Sequence, residues 1–324
     1  METITIKKIL YEDLRLEFKI TGINNTIINC IRRIALSLIP IYSFNSITIS
    51  ENTSIFNNNY MKLRLRNLPV FGISADNAIY DNKKKIDTPI EDVDNIGNDE
   101  IEMINVDTIN SSSLKQLTMY LDYTNNTKEI ITVGTDDCKF YYAEKQIDSP
   151  YRIPKSNNIP IIKLQPDQKI KLSAITELGI EEENAIFSAL SIFTFKELTS
   201  SSYEVALESR GQLNEVTILN YTIENIIYML NNFLLLIPNN SNINAKILLD
   251  NADHTIGTLI ALGLQEHKKV KFAGYNMPHL LDNKILFHYE LIEEYNIKDI
   301  MEDIVVKYKK IFTIIKKEID SHIK

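Results

Sequence analysis

Hydrophobic and polar positions alternate over residues 14–20. Leu14, Leu16, Phe18 and Ile20 fall on one side; Arg15, Glu17 and Lys19 fall on the other. A period of two places successive side chains on opposite faces of a strand. The pattern predicts a strand here, paired with another over residues 3–10 around Tyr11, Glu12 and Asp13. After Thr21-Gly22 the period changes. Ile27, Ile31, Ile34 and Leu38, flanked by Ile28 and Ala35, recur at helical spacing and predict a helix over 25–38. Asn24 or Asn25 offers a side-chain oxygen to the first-turn amides, and Pro40 ends the run. A strand is expected over 46–50.

Residues 75–112 are polar and charged, and read as a mobile loop or linker. Short strands are expected at 114–123, 129–133, 138–143, 160–164 and 168–175, separated by Pro150, Pro154, Pro160 and Pro166. Two more are expected at 190–196 and 203–208. A helix over 222–236 carries the apolar stripe Ile223, Ile226, Ile227, Leu230, Phe233, Leu234 and Ile237. The run from Pro238 to Asn242 breaks the chain. The opening pattern then returns: a strand at 245–249, a helix at 255–264, strands near 269–273 and 284–293, and a long helix over 298–323. In that last helix Ile297, Met301, Ile304, Tyr308, Ile311, Ile315 and Ile319 recur at spacings of three and four, the seam of a helix that faces another helix.

Strand, helix, strands and long helix thus occur twice, once interrupted and once compact. A sheet with one apolar face and a helix with one apolar stripe must cover each other. Each long helix has more apolar surface than its own small sheet can hide. The expected solution packs the two long helices together, with Ile223, Ile227, Leu230 and Leu234 facing Met301, Ile304, Tyr308, Ile311 and Ile315. The fold class is therefore α+β. The expected parts are a first module over 1–46 and 196–237, a β-rich insert over 47–195, a linker over 238–244 and a second module over 245–324. Nothing in this pattern decides whether the halves pair within one chain or swap between two.

Composition narrows the classes. The chain has 324 residues, 44% hydrophobic and 24% charged, which suits globular domains. Its net charge of -8 argues against a surface that grips phosphates throughout. Cys30 and Cys138 have no partner at metal-ligand spacing, so reduced thiols and no structural zinc are expected. No apolar run resembles a signal peptide or reaches the roughly 20 residues of a membrane span. An intracellular protein of cytoplasm or nucleus is expected, without membrane contact and without a cofactor.

Several stretches resemble the RNA polymerase alpha-like subunit family. Residues 25–40, NTIINCIRRIALSLIP, resemble the signature helix of the bacterial alpha subunit and its eukaryotic third-largest counterpart. Residues 61–70, MKLRLRNLPV, look like that family's "H-R-L-G-L-I-P" segment, with Leu63 at the histidine. Residues 169–189 are similar to its insert-domain run, with Phe187 where tryptophan is usual. Residues 253–260, DHTIGTLI, resemble the "D-H-T-L-G-N-L-L" motif of the small partner subunit, and 272–285 its "F-A-G-Y-K-V-P-H-P-L-E-H-K-I" run. The motif order implies a fusion of the two alpha-type dimerisation modules, an arrangement similar to that of large DNA viruses. A viral source would place the chain in host cytoplasm, with packaging in the virion as a further option.

The resemblance implies a non-catalytic assembly platform for a DNA-directed RNA polymerase. Its partners would be the largest and second-largest subunits and small polymerase subunits, with DNA met only through the complex. It implies partner contacts for Asn25, Thr26, Asn29, Arg32, Arg33, Arg64 and Arg66, because guanidinium forks bind carboxylates and carbonyls bidentately. His254, Thr255, Pro278 and His279 join them from the second half. Asp253 is read first as a helix cap. Two other classes stay open: a stand-alone helix-pairing protein, and a metal-dependent hydrolase built on Asp250, Asp253 and His254. Asp92-Val-Asp94 begins like a calcium loop but fails at Ile96 and Met103. The lysines at 83–85, 309–310 and 316–317 read as solvated faces.

Overall fold

The computed structural model describes residues 3–12, 14–80, 116–143, 145–151, 158–250, 253–279 and 284–323. The calcium-like run at 92–103, Lys83–Lys85 and all but the first six residues of the 75–112 segment lie outside that set. The chain divides into two compact units. Unit 1 comprises Met1–Ser43, Arg66–Ile79 and Leu178–Lys324; unit 2 comprises Phe44–Leu65 and Tyr80–Glu177.

Unit 1 opens with strands β1 (Thr5–Glu12) and β2 (Arg15–Thr21), then helix α1 (Asn25–Ser37). The Asn24 side chain caps α1 by accepting from the Ile27 amide at 3.0 Å. The chain leaves along β3 (Ile41–Asn52) and returns through β9 (Lys169–Gly179). Strands β10 (Leu190–Thr199) and β11 (Ser202–Ser209) complete an antiparallel sheet of order β1-β2-β11-β10. Its register pairs Leu16 with Leu207, Phe18 with Val205 and Ile20 with Tyr203, so one face is uniformly apolar. Strand β10 crosses residue 195, where the sequence pattern places the end of the insert.

Helix α3 (Glu215–Leu236) follows. It starts seven residues before the position its apolar stripe predicts, because Asn214 caps it and accepts from the Thr217 amide at 2.7 Å. The second half then builds β12 (Asn244–Asp250), α4 (His254–Gln265), β13 (Val270–Asn276), β14 (Lys284–Leu291) and α5 (Ile297–His322). Its sheet has the order β12-β14-β13.

One core joins both halves of unit 1. Helices α3 and α5 pack on each other, and α5 also meets β1 of the first sheet. In return, Phe233 of α3 lies 6.0 Å, ring to ring, from Phe287 of the second sheet. Helix α5 therefore packs against the first half's sheet, and α3 reaches the second half's sheet through Phe233. Polar bonds along the edge fix the direction. Asn220 Nδ2 donates to Asp320 Oδ1 at 3.1 Å, Lys316 Nζ to Glu224 Oε1 at 2.6 Å, and Lys309 Nζ to Asn231 Oδ1 at 3.0 Å. Numbers rise along α3 as they fall along α5, at spacings of four and seven, so the helices are antiparallel with one stripe of each at the junction. Ile223, Leu230, Met301, Ile304, Tyr308, Ile311 and Ile315 are buried, while Ile227 and Leu234 are partly buried against the same core. At roughly 1.5–3 kcal/mol for each fully buried side chain, this junction is a main source of stability.

The linker is held down as well. Asn240 accepts from the Ile297 amide at 2.8 Å, and Ile243 from the Leu291 amide at 2.7 Å. The segment after residue 66 is pinned to α3: Tyr221 Oη donates to Ala75 O at 3.1 Å, and Asn225 Nδ2 to Ala78 O at 2.6 Å. Gln212 brackets the same region, donating to Tyr42 O and Val70 O, both at 2.9 Å.

Unit 2 holds helix α2 (Asn58–Arg66, its last residue counted with unit 1) and strands β4 (Leu117–Thr124), β5 (Ile131–Gly134), β6 (Lys139–Tyr142), β7 (Lys145–Ile147) and β8 (Pro160–Leu164). Its sheets run β3-β9-β4-β6-β7 and β5-β8, around a core that includes Leu117, Met119, Phe140, Tyr151, Leu164 and Ile170.

Candidate partner interface

Helix α1 turns Ile27, Ile31 and Ile34 inward, which leaves Asn25 exposed and Thr26, Asn29 and Arg32 half-buried. The Arg32 guanidinium is not loose. Its Nε and Nη2 both donate to Asn29 Oδ1, at 3.1 and 3.0 Å. One turn of helix thus holds the guanidinium by one edge and spends one residue's rotamer freedom before any partner arrives.

Arg33 points into the molecule's other half. Its Nε donates to Thr255 Oγ1 at 2.7 Å, and its Nη2 lies 3.6 Å from Asp253 Oδ2. The Thr255 hydroxyl in turn donates to Asp253 Oδ2 at 2.7 Å. Asp253 Oδ1 accepts from the amides of Thr255 and Ile256, at 3.0 and 3.2 Å. The carboxylate therefore caps α4, sits at the favourable end of its dipole, and meets a cation from α1. Two residues expected to face outside partners, Arg33 and Thr255, are brought together with each other, and Thr255 is only 5% exposed. Around them lies acid. Burial raises the Glu182 carboxyl above its usual range, with help from Asp253, Glu181 and Glu183 and against the pull of Arg33. On the buried face of α1, burial and then Asp253 push the Cys30 thiol up to about 12, so it stays protonated as a packing residue.

The bridge is half-exposed, so its worth is modest. A double-mutant cycle with Arg33→Ala and Thr255→Val is expected to show a coupling of about 0.5–1 kcal/mol in urea unfolding. Additive losses would mean that the contact contributes nothing.

The remaining residues lie apart. His254 is exposed, with Nδ1 3.2 Å from Tyr275 Oη, and that hydroxyl is 2.6 Å from Thr258 Oγ1. Pro278 and His279 are exposed just past β13. Arg64 lies on α2 and donates from Nη2 to Pro160 O at 3.0 Å. Arg66 is half-buried, and among the described residues its Nε has no hydrogen-bond partner. The three candidate hydrolase residues point to different tasks. Asp250 pairs with Lys284 at 3.3 Å, Asp253 caps α4, and His254 meets Tyr275. Among the described residues no group of three or more His, Cys, Asp or Glu is placed to hold a metal, and no helix is long and apolar enough to cross a membrane.

Sequence reasoning did not find the bridge from Arg33 to Thr255. The only signal was a pair of arginines on one helix and a D-x-T cap on another, and nothing local ties them.

Residues 244–318 match the RNA polymerase Rpb3/Rpb11 dimerisation domain. A protein of Acanthamoeba polyphaga mimivirus named as a DNA-directed RNA polymerase subunit is 27% identical over 334 residues, spanning 94% of this chain and 91% of that protein. The archaeal polymerase subunit Rpo3 of Methanosphaera stadtmanae is 24% identical over 185 residues, 57% of this chain and 58% of that one. A Caenorhabditis elegans protein named as subunit RPAC2 of RNA polymerases I and III is 33% identical over 73 residues, 22% of this chain and 51% of that one. The archaeal match covers 57% of this chain and the nematode match 22%. Over most of its length the chain is therefore similar to an RNA polymerase subunit, with a segment of Rpb3/Rpb11 type at 244–318.

Proposed function

We propose that this chain is a non-catalytic assembly platform of a multisubunit DNA-directed RNA polymerase, and that it recruits the large catalytic subunits. The observation that supports this most is the antiparallel α3–α5 pair. It joins two alpha-type modules inside one polypeptide, so the pairing step that separate subunits need is made intramolecular. The half-exposed stretch of α1 with Asn25, Thr26, Asn29 and Arg32 is the surface we assign to a large subunit. Arg32, held by Asn29, presents its remaining donors to a carboxylate or carbonyl. Arg33 is read here as a tie between the modules, which leaves Arg32 as the outward contact of the pair. Catalysis resides in the large subunits, DNA is met only through them, and the chain acts inside the cell.

The test is co-purification of tagged chain from its native source. Tagged wild type should bring down both large subunits. Arg32→Glu should cut their recovery at least tenfold while leaving the unfolding free energy within about 0.5 kcal/mol of wild type, as a surface change should. Absence of large subunits from the wild-type sample would defeat the proposal. Unfolding of the Arg32→Glu chain would reassign Arg32 to the fold.

A further inference from the structure

Helix α2, which carries Arg64, has an outward face whose partner chemistry the polymerase reading leaves unnamed. From Asn52 to Arg66 the chain has no aspartate or glutamate and three cations, Lys62, Arg64 and Arg66, in a protein of net charge -8. Met61 and Leu65 point inward and are buried. Tyr60, Leu63 and Arg64 share the opposite face at helical spacing. Leu63 is 60% exposed, Tyr60 40%, and Ile55 just before the helix 67%. Large apolar groups exposed together beside positive charge mark a contact surface more often than a solvated face.

This surface is also pre-formed. Asn52 Oδ1 accepts from the Ser54 amide at 3.0 Å and the Ser54 hydroxyl at 2.6 Å, and Asn52 Nδ2 donates to Phe56 O at 2.9 Å. Asn57 Oδ1 caps the helix from the Tyr60 amide at 2.8 Å. Phe56 stacks on Tyr60 with ring centroids 4.8 Å apart. The exposed side chains therefore stand on a loop and helix fixed by their own hydrogen bonds, and a partner need not order them.

We infer that the outward face of α2 docks an acidic segment of a partner polypeptide, anchored by apolar side chains on Ile55, Tyr60 and Leu63. The inference rests on the reading of Arg64 as a partner contact and names the chemistry it meets. Arg64 uses Nη2 on Pro160 O, and a guanidinium has five N–H donors, so a fork remains for a carboxylate. Lys62 adds a second positive charge along the helix. A nucleic acid fits less well. Two of the three exposed apolar side chains are aliphatic, and one face of Tyr60 is already taken by Phe56, whereas single strands need open aromatic platforms.

The experiment places the photoreactive p-benzoylphenylalanine at position 63 of the full chain, irradiates the complex affinity-purified from its native source, and maps the adduct by mass spectrometry. The expected adduct lies on another polypeptide, in a stretch with more Asp and Glu than Lys and Arg. Arg64→Glu with Lys62→Glu should lower its yield at least tenfold, and Arg64→Gln should give an intermediate loss. An adduct on nucleic acid, on a neutral or basic peptide, or on the acidic residues 91–103 of this same chain would overturn the inference, as would no adduct at all. If the acidic peptide belonged to a protein outside any polymerase, the docking surface would stand and the polymerase reading would fall.

Discussion

Replacing Leu230 with alanine is expected to destabilise the folded chain by about 2–5 kcal/mol, the range for emptying a fully packed leucine site. Leu230 is 0% exposed and belongs to the core that both halves of unit 1 share. The loss should appear as a lower urea midpoint. Leu230→Asp should do more, because it leaves an unpaired carboxylate inside that core. A single domain commonly has only about 5–15 kcal/mol in total. The aspartate variant is therefore expected to lose cooperative unfolding of unit 1 altogether. Tyr228 provides the control. It lies half a turn away on the same helix but is 44% exposed, so Tyr228→Ala should stay within about 0.5–1 kcal/mol of wild type. If Leu230→Ala were as mild as Tyr228→Ala, the junction of α3 with α5 would not be the buried seam described here.

That junction also shows what was legible in the chain and what was not. The stripe from Met301 to Ile319 predicted a long helix with one apolar face, because helical periodicity sustained over about five turns has no rival explanation. The partner of that face was a deduction from surplus apolar surface. Local order failed where polar residues begin an element. The first turns of α3 interleave the polar Glu215, Thr217 and Asn220 with Ile218 and Leu219, which are buried at helical spacing from Ile223 and Ile226 and extend the stripe toward the cap. Helix α2 was missed for a different reason. Lys62-Leu63-Arg64-Leu65-Arg66 alternates with the period of a strand, yet Asn57 caps it and the chain winds. Strand β10 straddles residue 195 because a strand's own pattern does not name the sheet it joins. The site was the least legible part. Arg33 and Thr255 are 222 positions apart, and their bond follows only once two helices have been docked.

Gly263 gives a test in which two physical effects have opposite signs. It lies inside α4, where alanine should be preferred to glycine by about 1 kcal/mol on helix propensity alone. Packing argues the other way. A methyl group at this position would sit 2.4 Å from Ile304 Cγ2, 3.0 Å from Tyr308 Cε2 and 3.4 Å from Tyr308 Oη. Both neighbours are on α5 and both are buried, so neither can swing into solvent. Moving a helix or forcing an off-rotamer side chain costs about 1–3 kcal/mol for one added methyl. The packing term should win, and Gly263→Ala should lower stability by about 1–2 kcal/mol in urea unfolding. Gly263→Leu should prevent α4 from seating on α5 at all. Ile304→Ala removes the closest atom, so the double variant Gly263→Ala with Ile304→Ala should lose less than the two single losses combined. A stabilised Gly263→Ala chain would mean that α4 and α5 lie farther apart than this close approach requires.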